Sequence, residues 1–165
     1  MRLRELKNKD AENMLEWTLD KRVNRFFIRD FSKSTLKSVG EYIEKSKSDK
    51  SNKHFAIVDE NDEYMGTVSL KNIDLANENA EYAISLRYKA QGAGYAKFAT
   101  QEVLKHAFKK LSLKRVYLNV LSSNARAIAF YEKTGFTYEG EFKQHIAKDG
   151  MLCDIKWYAM LKGEF

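Results

Sequence analysis

The chain has 165 residues, of which 44% are hydrophobic and 32% charged, and its formal net charge is +6. This length favours one domain, residues 1–165, with a core large enough to fold alone. No stretch approaches the ~20 apolar residues of a membrane span, and the start, MRLRELKNKD, lacks the apolar segment of a secretion signal. The sequence therefore predicts a cytoplasmic protein with no membrane partner.

Cysteine, histidine and charge patterns narrow the function further. The single cysteine, Cys153, excludes an internal disulfide, and three scattered histidines give no zinc spacing, so no metal is predicted. Lysines and arginines alternate with acids instead of forming one basic block, which indicates a solvated surface and no nucleic-acid partner.

The first half of the chain predicts three strands and two helices. Residues 2–6 alternate polar and apolar side chains as a strand does. Asp10 can cap a helix that begins at Ala11, and Ser34 can cap a second helix. Residues 54–59 and 64–74 flank the turn-forming residues 60–62, so they predict an antiparallel hairpin.

The second half predicts a crossover between two parallel strands. Residues 80–86 form a strand pattern, an amphipathic helix pattern follows QGAGYA, and residues 115–120 alternate again. A strand, a helix and a strand in this order form a right-handed unit, so the two strands are expected to be parallel neighbours.

The loop QGAGYA, residues 91–96, lies between the first of these strands and the helix. Unpaired amides and the positive end of the helix dipole meet there, and glycine permits positive φ and close approach of an anion such as phosphate. A dinucleotide fingerprint would need a third glycine where Lys97 stands, and the GxxxxGK[ST] loop is absent. An ordinary tight turn at a helix start remains the alternative.

A second stretch, NARAIAFYEKTGF, follows the last of these strands. Asn124 can cap a helix, and Gly135 can end it in a left-handed conformation before Phe136. Tyr131 lies on the apolar face of this helix, where a tyrosine taken alone is usually a core residue.

Together the two stretches resemble the GCN5-related N-acetyltransferase (GNAT) family. The family's pyrophosphate motif, [QR]xxGx[GA], matches residues 91–96, and its NxxAxxxYxxxGF motif matches Asn124, Ala127, Tyr131, Gly135 and Phe136. The ending is similar to the ribosomal-protein acetyltransferase (RimJ/RimL-like) branch, with matches at Glu139, Gly140, residues 148–150, Asp154 and Tyr158. The resemblance implies an α/β GNAT fold: a mixed, mostly antiparallel sheet of about seven strands with splayed parallel middle strands, flanked by about four helices.

The resemblance also implies an enzyme that transfers the acetyl group of acetyl-CoA directly to a primary amine. Relatives hold the pantetheine arm beside the strand that ends at Leu86 and the diphosphate on the amides of the glycine loop, and a positive side chain such as Arg87 is placed to meet phosphates. The predicted cofactor-binding residues are Leu86, Arg87, Gln91, Gly92, Ala93, Gly94, Tyr95, Ala96 and Asn124.

Tyr131 matches the family's thiolate-protonating tyrosine, and Glu81 is the candidate base. Asn119 and Ser85 are weaker candidates for contact with the acceptor, a protein N-terminus, such as that of a ribosomal protein, or a small-molecule amine. At pH 7, neutralising a lysine-like amine costs about 4.6 kcal/mol but an α-amine only about 1 to 1.4 kcal/mol, so a weakly basic amine is the easier acceptor.

Several alternatives stay open. The branch usually has glycine at the position of Ala83 and often a large aromatic residue at that of Ser85, which implies a differently shaped acceptor pocket here. Within the family the acceptor could be a nucleotide-linked amino sugar. A non-catalytic alternative is an acetyl-CoA-binding regulatory module, which would need neither Tyr131 nor a base. Another is a nucleic-acid-binding protein, which would use the positive charge. The sequence fits a monomer or a homodimer.

Overall fold

Seven strands form one mixed sheet in the computed structural model, which describes all 165 residues. The strands are β1 Arg2–Glu5, β2 Lys53–Val58, β3 Tyr64–Asp74, β4 Asn79–Leu86, β5 Arg115–Leu121, β6 Thr137–Lys148 and β7 Met151–Leu161. Their order across the sheet is β1-β2-β3-β4-β5-β7-β6, and every neighbouring pair is antiparallel except β4 and β5. The predicted mixed, mostly antiparallel sheet, the hairpin and the parallel pair are confirmed.

Five helices cover the two faces of the sheet. They are α1 Ala11–Leu19, α2 Lys21–Asn24, α3 Leu36–Ser48, α4 Tyr95–Lys105 and α5 Ala125–Lys133. The sequence indicated four of them and missed α2, which is a single turn capped by the side chain of Asp20 and too short to show periodicity. No helix of the chain is long and apolar enough to cross a membrane.

The first two helices use different caps from the predicted ones. Helix α1 begins at Ala11, but the carboxylate of Asp10 accepts hydrogen bonds from the Arg4 guanidinium, both at 2.7 Å, instead of capping it. Both side chains are nearly inaccessible to solvent, and a buried cation requires an opposite charge. Helix α3 is capped by Thr35 and not by Ser34, since Thr35 Oγ1 accepts from the N–H of Ser38 at 3.1 Å.

Two hydrophobic clusters pack on opposite faces of the sheet. On one face, α4 packs Val103, Leu104 and nearby residues against the sheet, and α5 adds partly buried side chains. On the other face, α1 and α3 pack Trp17 and Ile43 against Tyr64, whose hydroxyl accepts the Trp17 indole N–H at 3.0 Å. The sheet therefore separates an α4/α5 face from an α1/α3 face.

Candidate active site

The sheet opens between its two parallel strands. β4 and β5 pair only over residues 79–81 and 115–117; beyond them β4 stays with β3, and β5 stays with β7. The N–H of Arg87 bonds back to Met65 on β3, and pairing alternates along an antiparallel strand, so the backbone groups of Ile84 and Leu86 face away from β3. They face the opening and have no strand partner on that side.

The loop after β4 presents a row of free backbone donors. Gly92 and Gly94 have φ of +82° and +86°, and Gly94 immediately precedes α4. None of the backbone N–H groups of residues 92–97 donates a hydrogen bond within the chain. Gln91 does not belong to this row, because its N–H bonds to the carbonyl of Tyr88. Six consecutive donors at a helix N-terminus suit the oxygens of a phosphate.

Basic side chains flank this loop. Lys97 and Arg126 line the same cavity, and the Arg126 guanidinium donates to Gln91 Oε1 at 2.7 Å, which ties the loop to the first turn of α5. Arg87 was expected to meet phosphates, but its side chain is directed at carboxylates of the chain. It is 6% exposed, and its guanidinium bonds to the carboxylates of Glu16 and Glu63, because a buried cation requires counter-charges.

Asn124 and Tyr131 lie on α5 and line the cavity. Asn124 caps the helix as predicted, accepting from the N–H of Ala127 at 3.2 Å, while its amide nitrogen makes no hydrogen bond within the chain. The ring of Tyr131 packs against Tyr82 and Phe136, and burial raises the pKa of Tyr131 to about 12. The phenol is therefore protonated across the physiological pH range.

The hydroxyl of Tyr131 differs from those of its buried neighbours. Tyr82 bonds to Thr100 at 2.7 Å and Tyr158 to Glu132 at 2.9 Å. The hydroxyl of Tyr131 has no hydrogen-bond partner within the chain, although its residue borders the cavity. It is thus a neutral donor that remains available to a bound molecule.

Glu81 lies on the α1/α3 face of the sheet, where its carboxylate is held by neighbouring strands. One oxygen accepts from Lys71 at 2.8 Å and the other from Asn72 at 2.9 Å, while the Asn119 amide is 3.5 Å away. An ionised carboxylate has about four acceptor positions, so this one can still accept from an amine or a water. Ser85 lies four residues along the same face.

Further polar side chains border the α1/α3 side of the cavity and were missed from the sequence. His54 Nδ1 lies 2.8 Å from the Ser69 hydroxyl, and the Tyr42 ring is 5.2 Å from His54. Burial lowers the pKa of His54 and raises that of Tyr42 to about 12, so both are neutral at pH 7. Alternation along β2 and β3 can assign His54 and Ser69 each to a face of its own strand, but only the register between the strands places them together.

One cavity joins the two sides of the sheet through the opening. Most of the predicted site residues line it: Glu81, Ser85, Leu86, Gln91, Gly92, Gly94, Ala96, Asn119, Asn124 and Tyr131. Ala93 and Tyr95 contribute backbone N–H groups to the loop, but do not line the cavity, and Arg87 is turned away from it. No group of three histidine, cysteine or acidic side chains in the chain could hold a metal ion.

Comparison with known proteins agrees with the geometry of this site. A family model described as an acetyltransferase (GNAT) domain matches residues 1–137. The chain belongs to the GNAT acetyltransferase family. It is an acetyl-CoA-dependent N-acetyltransferase that acts on an amine, as predicted.

Individual GNAT relatives support this assignment. The chain is 28% identical to the spermidine N(1)-acetyltransferase of Vibrio cholerae over 71% of its length and 68% of the relative's. It is 31% identical to a Bacillus subtilis protein named "Putative ribosomal N-acetyltransferase YdaF", over 61% of this chain and 55% of that one. A structure of the Vibrio cholerae spermidine N-acetyltransferase with CoA and spermine has a TM-score of 0.91 at 24% identity, covering 99% of this chain and 96% of that one. At this identity the likeness establishes the GNAT fold.

Proposed function

We propose that the glycine loop holds the diphosphate of acetyl-CoA and that the opening between β4 and β5 receives its thioester. The free N–H groups of residues 92–97 carry this proposal, because they converge at a helix N-terminus beside Lys97 and Arg126. The unpaired backbone groups of Leu86 and Ile84 would pair with the pantetheine arm and stabilise negative charge on the carbonyl oxygen.

The acceptor amine would enter from the α1/α3 side. Glu81, Asn119 and Ser85 border the cavity there, on the opposite face of the sheet from Tyr131. The amine nitrogen attacks the carbonyl carbon and the C–S bond breaks. Glu81, directly or through a water, takes the proton that the nitrogen loses.

Tyr131 would act on the departing sulfur. Its phenol is neutral, lies beside the opening and has no partner in the chain, so it can donate to the thiolate. Complete transfer from a phenol of pKa about 12 to a thiolate near 8.5 is uphill by about 4.8 kcal/mol. Because complete proton transfer is this costly, Tyr131 acts more as a hydrogen-bond donor to the sulfur than as an acid that gives up its proton.

The acceptor that we propose is a small-molecule primary amine. The Vibrio cholerae relative is a spermidine N(1)-acetyltransferase. The cavity is bordered by α1, the segment after α2 and the sheet. Because residues from both the first fifty and the last hundred positions border this cavity, we also propose that residues 1–165 work as a single domain.

Substituting Tyr131 by phenylalanine tests the catalytic assignment. The change removes only the hydroxyl, so we expect kcat for CoA release to fall by about 10²-fold while the Kd for acetyl-CoA stays within about threefold. Tyr158→Phe is the matched control, because that hydroxyl bonds to Glu132 outside the cavity. An unchanged kcat in Tyr131→Phe would remove Tyr131 from the mechanism.

A further inference from the structure

We infer that the acceptor carries an anionic group, a phosphate or a carboxylate, which Arg25 and Arg29 recognise. This inference rests on the proposed acetyl transfer and specifies its substrate class. Both arginines lie in the segment that links α2 to α3, where they border the cavity on the α1/α3 side. The site would thus take an amine with a negative group at a distance from the reacting nitrogen.

The two arginines have no counter-charge, whereas the arginines at positions 2, 4, 22, 87 and 115 are each paired with a carboxylate. Neither guanidinium makes a hydrogen bond or an ion pair within the chain. Arg25 lies over the ring of Phe26 at 4.8 Å and Arg29 over the ring of Phe31 at 5.4 Å, so aromatic contacts orient both. By contrast, Arg22, in the preceding helix α2, is paired with Asp20.

Arg29 lies beside the polar cluster that borders the acceptor side. Its positive charge acts on the Tyr42 phenol, where it opposes the larger effect by which burial raises the pKa of that group. The Tyr42 ring is next to His54, which lies at hydrogen-bonding distance from Ser69 on β3. Arg29 and Glu81 therefore border the cavity on the same side of the sheet.

The cavity has few acidic side chains to bind a polycation. Only Glu81 and Glu164 border it, and Glu164 accepts the N–H of Leu161. Glu81 is already held by Lys71 and serves the reacting amine in the proposed mechanism. A second or third ammonium of a polyamine would find arginines where it requires carboxylates, and like charges at a binding surface are unfavourable.

The phosphates of acetyl-CoA do not account for these arginines. The basic side chains near the glycine loop, Lys97 and Arg126, lie on α4 and α5, which cover the other face of the sheet. The acceptor side also holds a buried donor, the Trp157 indole N–H, which has no partner within the chain and sits opposite Asn119 in the strand register. Donors and cations therefore predominate where the acceptor would bind.

Matched pairs of amines test the inference. CoA release and equilibrium binding to the CoA-saturated protein would be measured with glucosamine and glucosamine 6-phosphate, with β-alanine amide and β-alanine, and with spermidine. The first two pairs differ in one phosphate or one carboxylate, so they separate the two sources of negative charge. The variant Arg25→Gln/Arg29→Gln removes the proposed contacts, and Lys45→Gln/Lys50→Gln removes two exposed positive charges outside the cavity.

We expect an anionic amine to bind at least about tenfold more tightly than its twin without the phosphate or carboxylate. This preference should fall toward one in Arg25→Gln/Arg29→Gln and persist in Lys45→Gln/Lys50→Gln. Equal binding within both pairs, tighter binding of spermidine, or a preference unchanged by the arginine substitutions would overturn the inference. Selective binding of an anionic amine without CoA release from any amine would instead contradict the proposed acetyl transfer.

Discussion

The conformation of Gly94 gives a quantitative test of the glycine loop. Its φ is +86°, while a Cβ added there would meet only Met1 Cε, at 3.8 Å. Gly94→Val therefore acts through backbone strain and not through a clash. Holding an L-residue in the left-handed region costs about 1–2 kcal/mol, and a β-branched side chain is least tolerated.

The strain is relieved when the backbone rotates to negative φ, which turns the neighbouring N–H groups away from the diphosphate. Losing two charge-assisted hydrogen bonds, at about 1.5–3 kcal/mol each, weakens the binding free energy by about 3–6 kcal/mol. The Kd for acetyl-CoA should therefore rise about 10²- to 10⁴-fold. Isothermal titration calorimetry measures this change, and urea unfolding measures the accompanying loss of stability.

Gly94→Asn is the matched control, because asparagine tolerates the left-handed region better than other residues with a side chain. It should bind acetyl-CoA far more tightly than Gly94→Val. A folded Gly94→Val protein with the wild-type Kd would refute the reasoning, since the loop would then hold no phosphate or would not need this conformation.

Three further predictions concern the sheet, the base and the pH dependence of stability. A Cβ added at Gly66 would lie 2.3 Å from a carbonyl oxygen of β4. Gly66→Ala should therefore displace the edge of the opening, lower the free energy of unfolding in urea by about 1–3 kcal/mol and raise KM for acetyl-CoA. Gly40→Ala is the control, because a Cβ there meets nothing within 4 Å; equal behaviour of the two variants would contradict the geometry. Glu81→Gln keeps the size of the side chain but removes the base, so kcat/KM should fall about 10²- to 10⁴-fold with acetyl-CoA affinity retained; near-normal turnover would assign the base elsewhere. Burial lowers the pKa of His54 and His106 below the ordinary 6.5, so the unfolded chain binds more protons below that pH, and the free energy of unfolding should fall between pH 7.5 and 5.5. His54→Gln should reduce this fall, and an unaltered pH dependence would contradict the assignment.

The sequence predicted the parts of the fold that local patterns determine. Alternation over residues 64–74 and 80–86 marks β3 and β4 closely, and Asn124 and Gly135 mark the start and the end of α5. These positions act through their own backbone or within a few residues, so neighbouring sequence is sufficient to recognise them.

Contacts between distant residues could not be predicted in this way. Asp10 is a residue type that often caps helices, but its carboxylate accepts from the Arg4 guanidinium instead. Arg87 pairs with Glu16, 71 residues earlier in the chain. The sequence therefore could not show that the Arg87 side chain, predicted to contact the cofactor, is held by carboxylates. The arginines at positions 25 and 29 gave no signal either, because their lack of a counter-charge is visible only once every ion pair is known.

A crystal structure of the protein with bound CoA tests the central claim most directly. We expect diphosphate oxygens about 2.7–3.2 Å from backbone nitrogens of residues 92–97, with the thiol end in the opening between β4 and β5, near the Tyr131 hydroxyl. A diphosphate bound away from that loop, or a pantetheine arm that does not enter the opening, would contradict it.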